Sequence, residues 1–303
     1  MTTQSWTTNL DHRDDAGFRA WVADFIAKCV AVGLTHTADT GQIDTATVTL
    51  PASNAMGGFA IFRMAADALD ATAPIFIRLD FGTGVIDTLP AIKIQIGPST
   101  DGAGTITGTA KTTQRRCDAS WNGVGGTGGG RNHWMCYVDG CFWFLQSLGA
   151  PGQPVNFNWA KVERTADADG VPSAEGALQT SLIGAYPGDQ SVRFAAPAAA
   201  YLRHGQDVNG ACYSGLVRQT EPGTEYGGKP QVQPLFGYAP GLFPLWAAGI
   251  VKNSEVPEAT TFTWTPYGLA VHTYINIGAQ GGRPWVCSNG ASALDYGMAV
   301  VWE

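Results

Sequence analysis

Residues 134–145 read Trp-Met-Cys-Tyr-Val-Asp-Gly-Cys-Phe-Trp-Phe-Leu, and this stretch limits the fold more than any other. Asp139-Gly140 is a favoured pair for a two-residue type I′ turn, whose two central positions both need a positive φ. That turn sets Val138 against Cys141, Tyr137 against Phe142, Cys136 against Trp143, Met135 against Phe144 and Trp134 against Leu145. Side chains alternate sides along a strand. One face of the hairpin therefore carries Trp134, Cys136, Val138, Cys141, Trp143 and Leu145, and the other carries Met135, Tyr137, Phe142 and Phe144. Both faces are apolar, whereas a sheet wetted on one side alternates apolar with polar residues. Such a hairpin demands cover twice: the core on one face, and a second layer or a neighbouring subunit on the other. In this register Cys136 and Cys141 are diagonal, a poor geometry for a disulfide.

The remaining patterns place this hairpin in an α+β chain. Apolar residues at Phe18, Trp21, Val22, Phe25, Ile26, Cys29 and Val30 form one helical stripe and predict a helix over 14–33. Asp14 or Asp15 can cap its start, and Gly33 can supply a left-handed stop. With a single apolar face, that helix packs on a sheet. Strands are expected at 45–50, 58–64, 75–81, 91–96, 105–112 and 157–164. Within 91–96, Ile92, Ile94 and Ile96 alternate with Lys93 and Gln95. Short connections and the lack of βαβ alternation favour antiparallel pairing and argue against a dinucleotide-binding fold. Beyond 170 the chain is Pro/Gly-punctuated, with short apolar runs such as 191–195, 268–277 and 298–302. The expected organisation is an N-terminal amphipathic helix on an antiparallel sheet (1–165), followed by a β-rich, loop-rich C-terminal region (166–303).

Composition narrows the function. Charged residues are 14% of the chain, against about 25% in ordinary soluble domains. Glycine is 39 of 303 residues, and there are 10 Trp, 13 Phe and 9 Tyr. Charge depletion with aromatic enrichment suits a subunit buried in an assembly, so a homo-oligomer is expected. The net charge is −7 and Arg115-Arg116 is the densest basic spot, which offers no stripe for a phosphate backbone; no nucleic acid is expected as a partner. The uncharged stretch 234–251 contains Pro234, Pro240 and Pro244. A membrane-spanning helix tolerates this badly, so the stretch is expected to be a buried irregular segment or an interface loop. The polar, acidic N-terminus carries no secretory signal.

Catalytic signatures are lacking. The six cysteines form no CxxC pair and read as buried small hydrophobes. The five histidines form no ligand spacing, and Tyr213-Ser214-Gly215 is only a fragment of a nucleophile elbow. The run at 123–130, Gly-Val-Gly-Gly-Thr-Gly-Gly-Gly, is not followed by the lysine of a phosphate-binding loop and reads as a surface loop. Asp167 and Asp169 lack the other ligands and the closing Glu of a calcium loop. No enzyme activity, cofactor or metal is expected.

Two segments point to a setting. The turn 37–44 reads Thr-Ala-Asp-Thr-Gly-Gln-Ile-Asp, and the strand-like stretch 74–84 reads Pro-Ile-Phe-Ile-Arg-Leu-Asp-Phe-Gly-Thr-Gly. Preceded by the short amphipathic helix, they resemble the N-terminal half of a family of tailed-bacteriophage virion proteins found at the tail tip or baseplate. The strand at 157–164 and the acidic, glycine-containing turn after it resemble the same family, so the likeness covers roughly 15–170. It implies a structural subunit of the virion tail, at the tail tip, baseplate or fibre attachment. Such a subunit assembles in the bacterial host cytoplasm with other tail and baseplate proteins. The alternatives are a module that binds a host-surface glycan and a capsid decoration protein. Trp134, Phe142 and Trp143 are the candidate aromatics, as an oligomer interface or as rings that stack on a sugar.

Overall fold

A computed structural model describes residues 2–9, 14–65, 69–83, 90–108, 115–118, 130–138, 140–148, 156–166, 172–181, 198–202, 211–213, 232–239, 241–252, 256–257, 260–265, 271–276 and 296–302. It is a mixture of helix and antiparallel sheet in which strands predominate. In chain order, β1 (Thr2–Asn9) is followed by α1 (Asp15–Ala31), the one helix among the described residues. Then come β2 (Thr35–His36), β3 (Met56–Arg63), β4 (Phe76–Thr83), β5 (Pro90–Gly97), β6 (Ser99–Thr100), β7 (Ile106–Thr107) and β8 (Arg115–Asp118). The hairpin strands are β9 (Gly130–Val138) and β10 (Cys141–Leu148), followed by β11 (Asn156–Ala166), β12 (Pro172–Ser181), β13 (Ala198–Leu202) and β14 (Ala211–Tyr213). Last are β15 (Val232–Ala239), β16 (Gly241–Lys252), β17 (Thr261–Trp264), β18 (His272–Asn276) and β19 (Tyr296–Val301).

These strands form three larger antiparallel sheets. The helix-side sheet has the order β2-β3-β4-β5-β8, the central sheet β1-β9-β10-β11-β12-β13-β14, and the C-terminal sheet β15-β16-β19-β18-β17, with β6-β7 as a small ribbon. The expected boundary near 165 falls at the junction of β11 and β12, which pair with each other from Trp159↔Ser181 to Ala166↔Pro172.

The helix forms where its stripe predicts. The Asp14 carboxylate accepts from the Gly17 N–H at 2.7 Å and caps the start. At the other end Gly33 takes φ 112°. The Leu34 N–H then reaches Cys29 O at 3.1 Å and the Gly33 N–H reaches Val30 O at 3.0 Å, the paired bonds of a Schellman stop. Phe18, Trp21, Val22, Phe25 and Cys29 are buried. They share one core with Phe62, Ile77, Leu79, Phe81, Ile92 and Ile94 of the helix-side sheet and with Met135, Tyr137, Phe142 and Phe144 of the hairpin. Phe25 links the layers, with edge contacts to Phe81 at 5.7 Å and Phe144 at 5.2 Å.

The hairpin register is the one expected: Cys141↔Val138, Phe142↔Tyr137, Trp143↔Cys136, Phe144↔Met135 and Leu145↔Trp134. Gly140 has φ 73°, as its turn position requires.

Several expectations are corrected. Residues 45–50 are turn and irregular backbone rather than a strand. Their hydrogen-bonding groups are taken locally: the Ala46 N–H and the Thr47 hydroxyl donate to the Asp44 carboxylate. The helix takes two more, with the Leu50 N–H donating to Asp15 and Arg19 donating to Val48 O. The strand expected at 105–112 shrinks to Ile106–Thr107, because Gly108 turns the chain with φ 129°; 109–112 lie outside the described residues. Val30, assigned to the buried stripe, is 49% exposed. The stretch 234–251 is a strand pair, β15 with β16, rather than an irregular segment. Pro234 fits because, among the described residues, β15 is an edge strand with a register shift just after it; Pro240 lies outside the described residues. Among the described residues Pro244 lies where β16 pairs with β15 alone, since pairing with β19 starts at Ala248; a missing N–H is tolerated on an unpaired side. Finally, β1 is a strand that no sequence signal marked; its eight residues pair with β9 from Thr2↔Tyr137 to Asn9↔Gly130.

Candidate functional site

The three candidate aromatics are buried, at 8% exposure for Trp134, 1% for Phe142 and 3% for Trp143. They do not form one cluster. Phe142 belongs to the core beneath α1. Trp143 lies on the opposite face of the hairpin, with its ring 6.3 Å from that of Trp302, which directly follows β19. On that same face the Cys136 thiol donates to Trp302 O at 3.6 Å. Burial, together with Cys141 beside it, pushes the Tyr274 hydroxyl pKa well above its ordinary value. Tyr274 belongs to β18, so the hairpin's second face is covered by the chain's own C-terminal sheet. Stacking on a sugar needs a free ring face, and these three rings are occupied within the chain.

The most organised polar cluster lies elsewhere, on the outer face of the helix-side sheet. Arg78 and Asp80 are two apart on β4 and so share a side. Arg78 donates from Nη2 and Nε to Asp80 Oδ1 at 2.6 and 3.0 Å. Its guanidinium also sits 4.0 Å over the Phe59 ring and donates to Gly104 O. Gly104 has φ 101°, and a Cβ there would stand 2.2 Å from the tip of the Phe59 ring, so the position excludes a side chain. The turn that carries it is closed by Asp101, whose carboxylate accepts from the Ala103 and Thr105 N–H groups, each at 2.8 Å. These bonds, that from Thr105 foremost, hold the Asp101 carboxyl below its ordinary pKa.

The segment 37–44 meets the same turn. The Thr40 N–H donates to Gly102 O at 2.9 Å. Gln42 spends its whole amide: Nε2 donates to Thr37 O at 2.8 Å and to Asp39 O at 3.1 Å, while Oε1 accepts from the Ile61 N–H at 2.7 Å. His36 Nε2 lies 2.9 Å from that same oxygen, which assigns it the ring proton. Thus Thr40, from the segment 37–44, and Arg78, from β4, both meet 101–105. Arg78 is held by an anion, a ring and a carbonyl, and this arrangement ties the 101–105 turn to β3 and β4. Sequence reasoning missed the brace. Its available signal was an Arg and an Asp two apart on a strand together with the Asp-Gly-Ala-Gly run at 101–104.

The other flagged residues do not gather. Among the described residues no three His, Cys, Asp or Glu side chains come together to hold a metal. Cys29, Cys136 and Cys141 are buried thiols rather than disulfides, and burial raises the pKa of Cys29. His133 and His272 are buried in different sheets. The glycine run up to 129, Asp167, Asp169, Ser214 and 191–195 lie outside the described residues.

Comparison of the chain with protein-family models, with curated proteins and with solved structures finds no match in any of the three.

Proposed function

We propose that the chain is a structural subunit of a tailed-bacteriophage virion, at the tail tip, baseplate or fibre attachment, that works by assembly with other tail proteins and with copies of itself. In this reading the chain is α+β, with the helix-bearing half as the shared scaffold and the later strands as the variable part. The observation that carries it is the meeting of Thr40, from 37–44, and Arg78, from β4, with one braced turn. Thr40 bonds Gly102, and Arg78 bonds Gly104, so the two stretches that resemble virion proteins act as a single structural unit. The bonds around Arg78 and Asp101 serve rigidity, which is what a subunit under mechanical load needs.

The low charge content, 14%, supports burial in an assembly. The apolar second face of the hairpin no longer does, because Tyr274 and Trp302 cover it. Among the described residues the large exposed hydrophobics are Val30 and Val271, so assembly contacts there would run through polar surface and sheet edges. The glycan-binding alternative loses its motive with the burial of Trp134 and Trp143. Among the described residues no helix is long and apolar enough to cross a membrane.

Immunogold labelling with antibodies against the purified chain tests the proposal on particles from the host that carries its gene. Gold at the tail end is the expected result. Gold on the head would favour the decoration-protein alternative, and particles without gold, whether intact or disrupted, would remove the virion reading.

A further inference from the structure

We infer that the segment 37–44 is a built-in stopper on the edge of the helix-side sheet, with the Gln42 amide standing in for a neighbouring strand, and that its loss lets β3 pair with β3 of a second copy.

Strand β3 reads Met-Gly-Gly-Phe-Ala-Ile-Phe-Arg, with no charge before its last residue. A run of β-favouring apolar residues without charge or proline is the kind that pairs between chains when its edge is open. On one side β3 pairs with β4 along most of its length. On the other, among the described residues, β2 covers only Arg63 and Phe62, leaving the backbone groups of Ile61 and Phe59 without a strand.

The stopper supplies three of the missing partners. The Ile61 N–H donates to Gln42 Oε1 at 2.7 Å, Ile61 O accepts from the Thr37 N–H at 2.9 Å, and Phe59 O accepts from the Ile43 N–H at 2.8 Å. Two of these bonds come from backbone, as in a strand, and the third comes from a side chain, so the ladder ends there. Gln42 is held in place by its bonds to Thr37 O and Asp39 O. The fit is sealed at Gly58, where a Cβ would lie 2.8 Å from the Ile43 side chain. The partner for an opened edge is a second copy, because two β3 edges meeting antiparallel make a self-complementary two-fold contact.

The test uses the full chain with Gln42→Ala and, separately, Gly58→Ala, which unseats Ile43 without touching Gln42. Amide hydrogen exchange at Ile61 reports the stopper, and light scattering over a concentration series reports association. In Gln42→Ala, Ile61 exchange should rise by about tenfold or more, the effect of losing one acceptor. In both variants the mass should exceed that of the wild type at equal concentration. Accelerated Ile61 exchange with unchanged mass would show that the segment guards nothing, and unchanged exchange in Gln42→Ala would show that Gln42 is not the stopper. If Gln42→Ala does not fold, the mass of Gly58→Ala decides.

Discussion

Trp143 bears both on the packing of the hairpin and on what its aromatic rings can bind. Its side chain is 3% exposed and meets Trp302. Trp143→Ala should cost about 3–5 kcal/mol, the range for emptying a large buried ring site, read as a shift in urea midpoint. Trp143 Nε1 has no acceptor among the described residues, and a buried donor left unpaired subtracts from stability. Trp143→Phe keeps most of the ring and removes that donor, so its cost should stay below about 1.5 kcal/mol. Equal losses for the two variants would mean that the indole N–H is bonded after all. At the same scale, Asp101 ties pH to the brace. Its folded-state pKa lies below the ordinary value because it accepts from the Thr105 and Ala103 N–H groups. A lowered carboxyl pKa contributes stability above the unfolded value of about 3.9, and that contribution is lost as pH falls through the folded value. Asp101→Asn should therefore lower the melting temperature by a constant amount from pH 7 to 5, and the difference from wild type should shrink below about pH 4. A difference independent of pH down to 2 would assign the loss to the turn geometry rather than the charge.

At the scale of elements, α1 and the β9–β10 hairpin were legible because each states its period and its ends locally. The helix has a stripe, an aspartate cap and a glycine stop; the hairpin has alternation and an Asp-Gly turn. Asp14→Ala should cost about 1 kcal/mol, since the Gly17 N–H loses its side-chain acceptor at an exposed site. Thermal melts check this, and no change would mean that water replaces the cap fully. Elements whose state is set by distant partners were not legible. Residues 45–50 carry β-branched Thr45, Thr47, Val48 and Thr49, yet Asp15 and Arg19 of the helix take their backbone groups. β1 has little apolar content, and it is a strand because β9 needs a partner on its free side. The prolines of 234–251 argued against regular structure, and only sheet position explains why strands accept Pro234 and Pro244. The brace was hidden for the same reason: Arg78, Phe59, Asp101 and Gly104 are far apart in sequence, and nothing local marks their meeting.

At the scale of the whole molecule, the layers explain where the aromatic residues go. A hairpin apolar on both faces sits between two packed layers: α1 and its sheet on one side, and β18 with Trp302 on the other. The composition therefore describes, in part, an interior with two cores rather than a surface awaiting a partner. This has a direct chemical readout, because each side of the hairpin lies close to its own thiol. Cys29 is buried with the helix core, while Cys136 and Cys141 lie on the face turned to the C-terminal sheet. In the native wild type all three should resist maleimide, since each is fully buried. Trp302→Ala removes the ring that meets Trp143 and loosens the cover over one face only. Labelling of Cys136 and Cys141, mapped by mass spectrometry, should then rise at least about tenfold, the consequence of a local opening made easier by roughly 1.4 kcal/mol. Cys29 should stay at the wild-type rate. Equal acceleration at all three thiols would mean that the chain opens as one cooperative unit. No acceleration at Cys136 would mean that Trp302 does not secure the layer, and the cover of the second face would then have to be sought in another part of the C-terminal sheet.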